Sequence, residues 1–241
     1  MTNRTADISL RKAARIAGLG YVAIFIFSFY AGIVSFGPGD SATTGSNKMA
    51  NEVLFGSGIA SWIIVLVADV VVAWALYVLL VPVNKSLSLL AAWLRLIFTA
   101  IAAIALLNLL IALQLSKGAD YLTVFTADQL QAQVILFLNA YWDLTLIAWV
   151  FFGLHIFLLG YLIFKSGYIP KIVGVLLIVA AIGYLINSFA NFLLPNIANS
   201  AGILLTVTIT PAIIAELALT LWLVIRGGKI EQQDNRALES A

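Results

Sequence analysis

The sequence predicts an all-α protein, a polytopic bundle of six transmembrane helices forming one domain over residues 1–241. Three observations lead there. Hydrophobic residues make up 63% of the chain and charged residues 10%, with a mean hydropathy of +1.06, whereas soluble domains are about half apolar. The apolar residues fall into six runs, each able to cross a hydrocarbon core of about 30 Å at about 1.5 Å per residue. Lysine and arginine collect at alternate ends of those runs.

Taken in order, the first span covers about 13–36 and stops at Gly37-Pro38-Gly39, before the polar loop DSATTGSNK. A basic flank precedes it, as in a signal peptide, but 24 uncharged residues from Ile16 to Gly39 exceed an h-region and no A-x-A site follows, so a retained helix is expected. The second span, about 53–81, runs from Glu52 to Pro82-Val83-Asn84-Lys85 with Asp69 near its middle. The third, about 88–115, carries Arg95 near its start and Asn108 near its end. A polar connector follows, in which Thr126-Ala127-Asp128-Gln129 reads as a capping box opening a helix. Unbroken to Ser166, that helix would be roughly 60 Å long, twice a bilayer core. The sequence is therefore read as an interfacial or protruding segment over about 127–139 that turns, near Asn139 to Trp142, into a fourth span at about 140–165. The fifth span, about 169–194, ends at Pro195, and the sixth, about 201–226, ends at Gly227-Gly228.

With the N-terminus in the cytoplasm, the inner side carries ten cations: Arg4, Arg11, Lys12, Arg15, Lys85, Lys165, Lys171, Arg226, Lys229 and Arg236. The outer side carries two, Lys48 and Lys117. That bias places both termini in the cytoplasm. A net charge of +2 with no basic, aromatic-interleaved stripe points away from nucleic acid. The absence of cysteine excludes disulfides, thiol nucleophiles and Cys-type zinc or iron–sulfur sites.

The chain is organised around Tyr141 to Pro170. Between Asp143 and Lys165 lie 21 residues whose one ionisable side chain is His155, the sole histidine. Counting helical rise, His155 stands ten residues from Lys165, Glu216 ten from Arg226 and Arg95 ten from Lys85, while Asp69 is central between Glu52 and Lys85. Four ionisable groups on four helices thus fall at one depth. Each charge at a helix centre costs about 2.5–3.5 kcal/mol on insertion scales, so mutual pairing is expected. One reading makes Asp69–Arg95 and His155–Glu216 structural ion pairs that fix register, with Arg95 alternatively snorkelling to the surface. The other makes Asp69, Arg95, His155 and Glu216 a ligand or proton site, with His155 titrating near neutrality when unperturbed.

A second polar level lies toward the outer face: Asn108, Asp143, and the stripe Tyr184, Asn187, Ser188 and Asn191, whose i, i+3, i+4, i+7 spacing puts them on one helix face. It reads either as a helix contact sealed by amide hydrogen bonds or as a water-accessible vestibule. On the sixth span, Pro211 frees the carbonyl of Val207 and favours a kink. Thr206, Thr210, Ile213, Glu216 and Thr220 share a broad face, expected to point inward. Asp69 then Tyr77 before a Pro/Lys turn faintly echoes His155 then Tyr161 before a Gly/Pro/Lys turn, as in repeat-built transporters. A metal held by His155, Asp69 and Glu216 is opposed by Arg95. No lysine lies mid-span for a Schiff base, and G-x-S-x-G, H-E-x-x-H and C-x-x-C-H are absent. No cofactor is expected.

The runs FFGLHIFLLGYLIFKSGYIPKIVGVLL, RKAARIAG, ALYVLLVPVNKSLSLLAAWLRL and AELALTLWLVIRGG resemble the bacterial membrane family catalogued as domain of unknown function 4386. The resemblance extends over nearly the whole chain in the family's order. It implies a multi-span integral membrane protein, in a bacterial plasma membrane, and draws attention to Arg95, His155 and Glu216; it supplies no activity. The expected partners are the lipid bilayer and a small polar or amphipathic ligand. The residues fit transport or ligand sensing through the midplane cluster, an intramembrane enzyme using His155 with a carboxylate, or a structural subunit. They do not specify an oligomeric state.

Overall fold

The structure, a computed structural model, describes residues 8–35, 52–117, 119–194 and 201–227. Among the described residues there is no strand, and the elements are α1 (Leu10–Ser35), α2 (Glu52–Leu80), α3 (Lys85–Ser116), a 3₁₀ turn (Asp120–Leu122), α4 (Ala127–Ser166), α5 (Lys171–Leu193) and α6 (Ala201–Arg226). All six α-helices contain a stretch long and apolar enough to cross a membrane. The expected stops at Gly37-Pro38-Gly39, Pro195 and Gly228, the loop after α1, and the cations Arg4, Lys48, Lys229 and Arg236 lie outside the described residues.

Helix α4 corrects the sequence reading. It runs unbroken for 40 residues, with no turn near Asn139. Its start is the capping box: the Thr126 backbone N–H donates to Gln129 Oε1 at 2.9 Å, and the Gln129 N–H donates to Thr126 Oγ1 at 3.3 Å. From Ala127 to Phe152 there is neither glycine nor proline, so no residue interrupts the ladder. Its end is also encoded. Gly167 takes φ +75°, the left-handed conformation that closes a helix. Ser166 Oγ accepts from the Ile169 N–H at 3.3 Å, and Pro170 precedes the first residue of α5.

The chain divides into two compact units. One comprises 23–68 and 99–148. Its core packs Phe55 and Ile59 of α2 with Leu106, Leu109 and Leu113 of α3 and Val134, Leu138 and Tyr141 of α4. Val134 and Leu138, expected on an interfacial segment, are therefore core residues. Tyr30 and Ser57 share a 2.7 Å hydrogen bond between α1 and α2, and the exposed pair Lys117–Glu52 (3.2 Å) joins the end of α3 to the start of α2.

The other unit comprises 1–22, 69–98 and 149–241 and holds every residue of the midplane set. Small residues let its helices approach closely, as membrane packing requires. A Cβ placed on Gly160 of α4 would lie 2.7 Å from the Gly174 carbonyl of α5, and one on Gly174 would lie 2.6 Å from the Gly160 carbonyl. Helix α6 continues through Pro211. It buries Thr208, Ala212, Ala215, Glu216, Leu219, Thr220 and Leu223, while Thr206, Thr210 and Ile213 are exposed. Only Glu216 and Thr220 of the expected inward face thus point in. Alanines admit a neighbouring helix, and an exposed threonine is satisfied within its own helix, as Thr206 is by donating to the Gly202 carbonyl at 2.8 Å.

Candidate functional site

Arg95 is the centre of the buried polar residues and is 1% exposed, so it does not snorkel. Its Nη2 donates to Asp69 Oδ1 in a buried ion pair. Its Nη1 donates to Tyr21 Oη at 3.0 Å and faces His155 Nε2 at 3.2 Å. Two aromatic rings flank the guanidinium, with Cζ 5.0 Å from the Tyr21 centroid and 5.5 Å from that of Phe152. An arginine so placed is neutralised by one carboxylate, hydrogen-bonded on two sides and covered by π faces.

His155 is held in one chemical form by these contacts. Guanidinium is donor-only, so Nε2 must accept; the Ala91 carbonyl, 2.8 Å from Nδ1, is acceptor-only, so Nδ1 must donate. Both bonds are satisfied only by the neutral imidazole with its proton on Nδ1. Ala91 and Arg95 are one turn apart on α3, so a single helix supplies both partners.

The fourth member pairs differently from expectation. Tyr184 Oη donates to Glu216 Oε1 at 3.1 Å. A His155–Glu216 ion pair does not form, because both ring nitrogens of His155 are engaged by α3. Phe152, one turn before His155 on α4, joins the two halves of the set. Its ring lies 5.8 Å from His155 and meets Tyr184 edge-on at 5.1 Å and 88°, while Phe98 packs on it at 4.6 Å. A small void of about 10 Å³, bordered by Tyr77, Ser88, Ala91 and Leu159, reaches His155; that is at the lower limit for one water.

The outer level separates into different environments. Tyr184 belongs to the midplane network. Helix side chains lean toward the N-terminus, which on α5 is the Lys171 end, so the phenol drops to the depth of Glu216. Asn187 and Ser188 are buried at 2% and 0% exposure, and Asn187 Oδ1 and Ser188 Oγ have no hydrogen-bond partner among the described residues. Asn191 donates to the Asn187 carbonyl at 2.7 Å. Asn108 and Asp143 belong to the other compact unit: Asn108 Nδ2 returns to the carbonyls of Ile104 and Ala105 at 3.2 and 3.3 Å, and Asp143 is exposed.

The sequence reading missed Tyr21, Phe152 and the Ala91 carbonyl. Phe152 was signalled by its i−3 spacing from His155, as Phe98 was by its i+3 spacing from Arg95. Tyr21 carries no such local mark. The Arg95 guanidinium occupies the space between Asp69 and His155, so a metal cation bridging those two would face a fixed positive charge.

Residues 16–227 match the family described as Domain of unknown function (DUF4386). A protein of Archaeoglobus fulgidus named "Uncharacterized protein" is 32% identical over 169 residues, 70% of this chain and 83% of that protein. No solved structure matches the chain.

Proposed function

The chain belongs to the DUF4386 family, and from that premise we propose that this multi-pass membrane protein moves or senses a small polar or amphipathic solute, using His155 as a proton-operated switch on Arg95. One observation carries the reading: the neutral, Nδ1-protonated histidine is wedged between a carbonyl and a buried guanidinium. A proton arriving at Nε2 removes the acceptor that Arg95 uses. It also sets two cations against each other at about 4 Å, a repulsion of about 4 kcal/mol at an effective dielectric of about 20. The ion pair with Asp69, the Tyr21 contact and the Phe152 packing all bear on the same guanidinium, so its displacement would be felt on α1, α2, α3 and α4 together. Such a element with two charge arrangements is what an alternating conformational cycle requires. Asp69, Arg95, His155 and Glu216 are the solute-binding or coupling residues in this reading. The packed form described above is its occluded state.

The distribution of Arg11, Lys12, Arg15, Lys85, Lys165, Lys171 and Arg226 at one set of helix ends supports cytoplasmic termini in a plasma membrane. An enzymatic role for His155 as general base is less favoured, since the ring is 1% exposed and the void beside it, about 10 Å³, has no room for a substrate.

The test uses proteoliposomes enclosing a pH-sensitive dye and a panel of small polar and amphipathic solutes applied as gradients. At least one solute should drive a proton flux with the wild-type protein that is lost in both His155→Gln and Glu216→Gln. Equal flux in wild type and both variants, or none with any solute, would overturn the reading.

A further inference from the structure

Away from the buried network, the same compact unit carries a cleft of about 780 Å³ at the turn between α2 and α3, the end of α4 and the start of α1. Its walls are of two kinds. Leu10, Pro82, Val83 and Leu162 supply apolar surface, and Asn84, Tyr161, Lys165 and Tyr168 supply polar groups. The turn that forms it is fixed: Tyr168 Oη donates to the Leu79 carbonyl at 2.6 Å, and Asn84 Oδ1 caps α3 by accepting from the Leu87 N–H at 3.0 Å.

Among the described residues, charge around the cleft has one sign. Lys165 lines it, Arg11 follows Leu10 and Lys85 follows Asn84. The described carboxylates of this unit are Asp69 and Glu216, both buried in the midplane network and committed to Arg95 and Tyr184. Lys165 has no carboxylate partner among the described residues; its Nζ lies 6.0 Å from the Tyr161 ring. Lys165 also stands ten residues, about 15 Å of helix, beyond His155. That is where the apolar part of α4 ends and a leaflet's headgroups begin.

We infer that this cleft is a binding site for the phosphate headgroup and upper glycerol of an anionic phospholipid. The size suits a ligand of several hundred Å³. The apolar wall takes the glycerol and first methylenes, Lys165 and Asn84 face the phosphate, and Lys85 and Arg11 add positive potential at the rim. The shared chemistry is an organic phosphate, and the amphipathic walls favour the lipid over a free anion. Because Tyr161, Leu162 and Lys165 continue the helix that carries His155, an occupied cleft would brace the cytoplasmic end of α4 without touching the proton switch. The inference stands independently of the transport reading.

The experiment is native mass spectrometry of the full chain in neutral detergent, titrated with phosphatidylglycerol, phosphatidylcholine or inorganic phosphate. One phosphatidylglycerol should be retained in preference to phosphatidylcholine. Lys165→Gln should weaken that retention about fivefold, the weight of one lysine near a headgroup, and Lys117→Gln, in the other unit, should leave it unchanged. Val83→Trp, which fills the apolar wall and keeps every charge, should weaken it as well, and thermal unfolding in phosphatidylcholine verifies that each variant is folded. Equal retention of the two lipids, or no effect of either cleft variant in folded protein, overturns the site. Displacement of the lipid by millimolar inorganic phosphate overturns the lipid assignment in favour of a soluble phosphate compound.

Discussion

Arg95 Nη1 and His155 Nε2 lie 3.2 Å apart, and because a guanidinium can only donate, this contact is a hydrogen bond when Nε2 carries no proton. The arginine is the donor and the imidazole the acceptor, while the other ring nitrogen gives its proton to Ala91. The chain contains one histidine, so isotope-labelled histidine gives a single imidazole spectrum. In the folded protein at neutral pH, nitrogen NMR should report a protonated Nδ1 and an unprotonated Nε2. An Nε2-protonated tautomer, or an imidazolium with both nitrogens protonated, would sink the assignment and the switch built on it.

The ion pair between Asp69 and Arg95 is buried on both sides, with side-chain exposures of 4% and 1%. Removing one partner leaves the other charge uncompensated, a loss of about 3–5 kcal/mol. Asp69→Asn should therefore lower the unfolding midpoint in detergent strongly. Adding Arg95→Gln to Asp69→Asn should recover a large part of that loss, since two neutral amides need no counter-ion. A double variant as unstable as the two single losses summed would mean that the pair does not couple.

What was legible in the sequence follows the regularity of the helix. Depth along a helix is a count of residues, so the sequence alone places Asp69, Arg95, His155 and Glu216 at one level. Of the two pairs the sequence suggests, Asp69–Arg95 forms and His155–Glu216 does not, because contact depends on azimuth and on the direction in which a side chain leans. Tyr184 illustrates this: its Cα belongs to the outer stripe, but its hydroxyl reaches Glu216. Helix α4 shows the converse: bilayer thickness alone argues for a break near Asn139, but a segment with neither glycine nor proline from Ala127 to Phe152 stays helical throughout. On α6, hydroxyls were read as inward-seeking, although Thr206 bonds its own backbone and the alanines take the packed face.

Gly160 and Gly174 are mutually exclusive with larger side chains, since each Cβ would meet the other's carbonyl oxygen. Gly174→Val should separate α4 from α5 and destabilise the fold by about 1–3 kcal/mol or more. Gly32, which has nothing within 4 Å of its would-be Cβ, provides the contrast. Gly32→Ala should be neutral or stabilise by up to about 1 kcal/mol through helix propensity. Thermal unfolding of both variants in the same detergent decides; a tolerated valine at 174 would show that the close approach is absent in the membrane.

The stripe on α5 bears on the proton route that the proposed function requires. Asn187 Oδ1 and Ser188 Oγ are buried without partners among the described residues, and each unsatisfied polar group in an apolar interior costs up to several kcal/mol. Asn191, less buried, lies one turn further toward the end of α5, and Tyr184 with its bond to Glu216 lies one turn the other way. A form of the protein that admits water along this stripe would satisfy both atoms and connect Glu216 to solvent. The protein has no cysteine, so single substitutions report directly. Asn191→Cys and Ser188→Cys should react with a charged, membrane-impermeant thiol reagent, because a thiolate forms only where water reaches. Ile186→Cys and Phe189→Cys, whose positions are about half exposed on the outer surface of the helix, should stay unreactive in lipid. If Ser188→Cys is as inert as Phe189→Cys in reconstituted protein, water does not enter along α5, and the proposed proton route to the Tyr184–Glu216 pair has to start instead from the end of the bundle that carries Lys165.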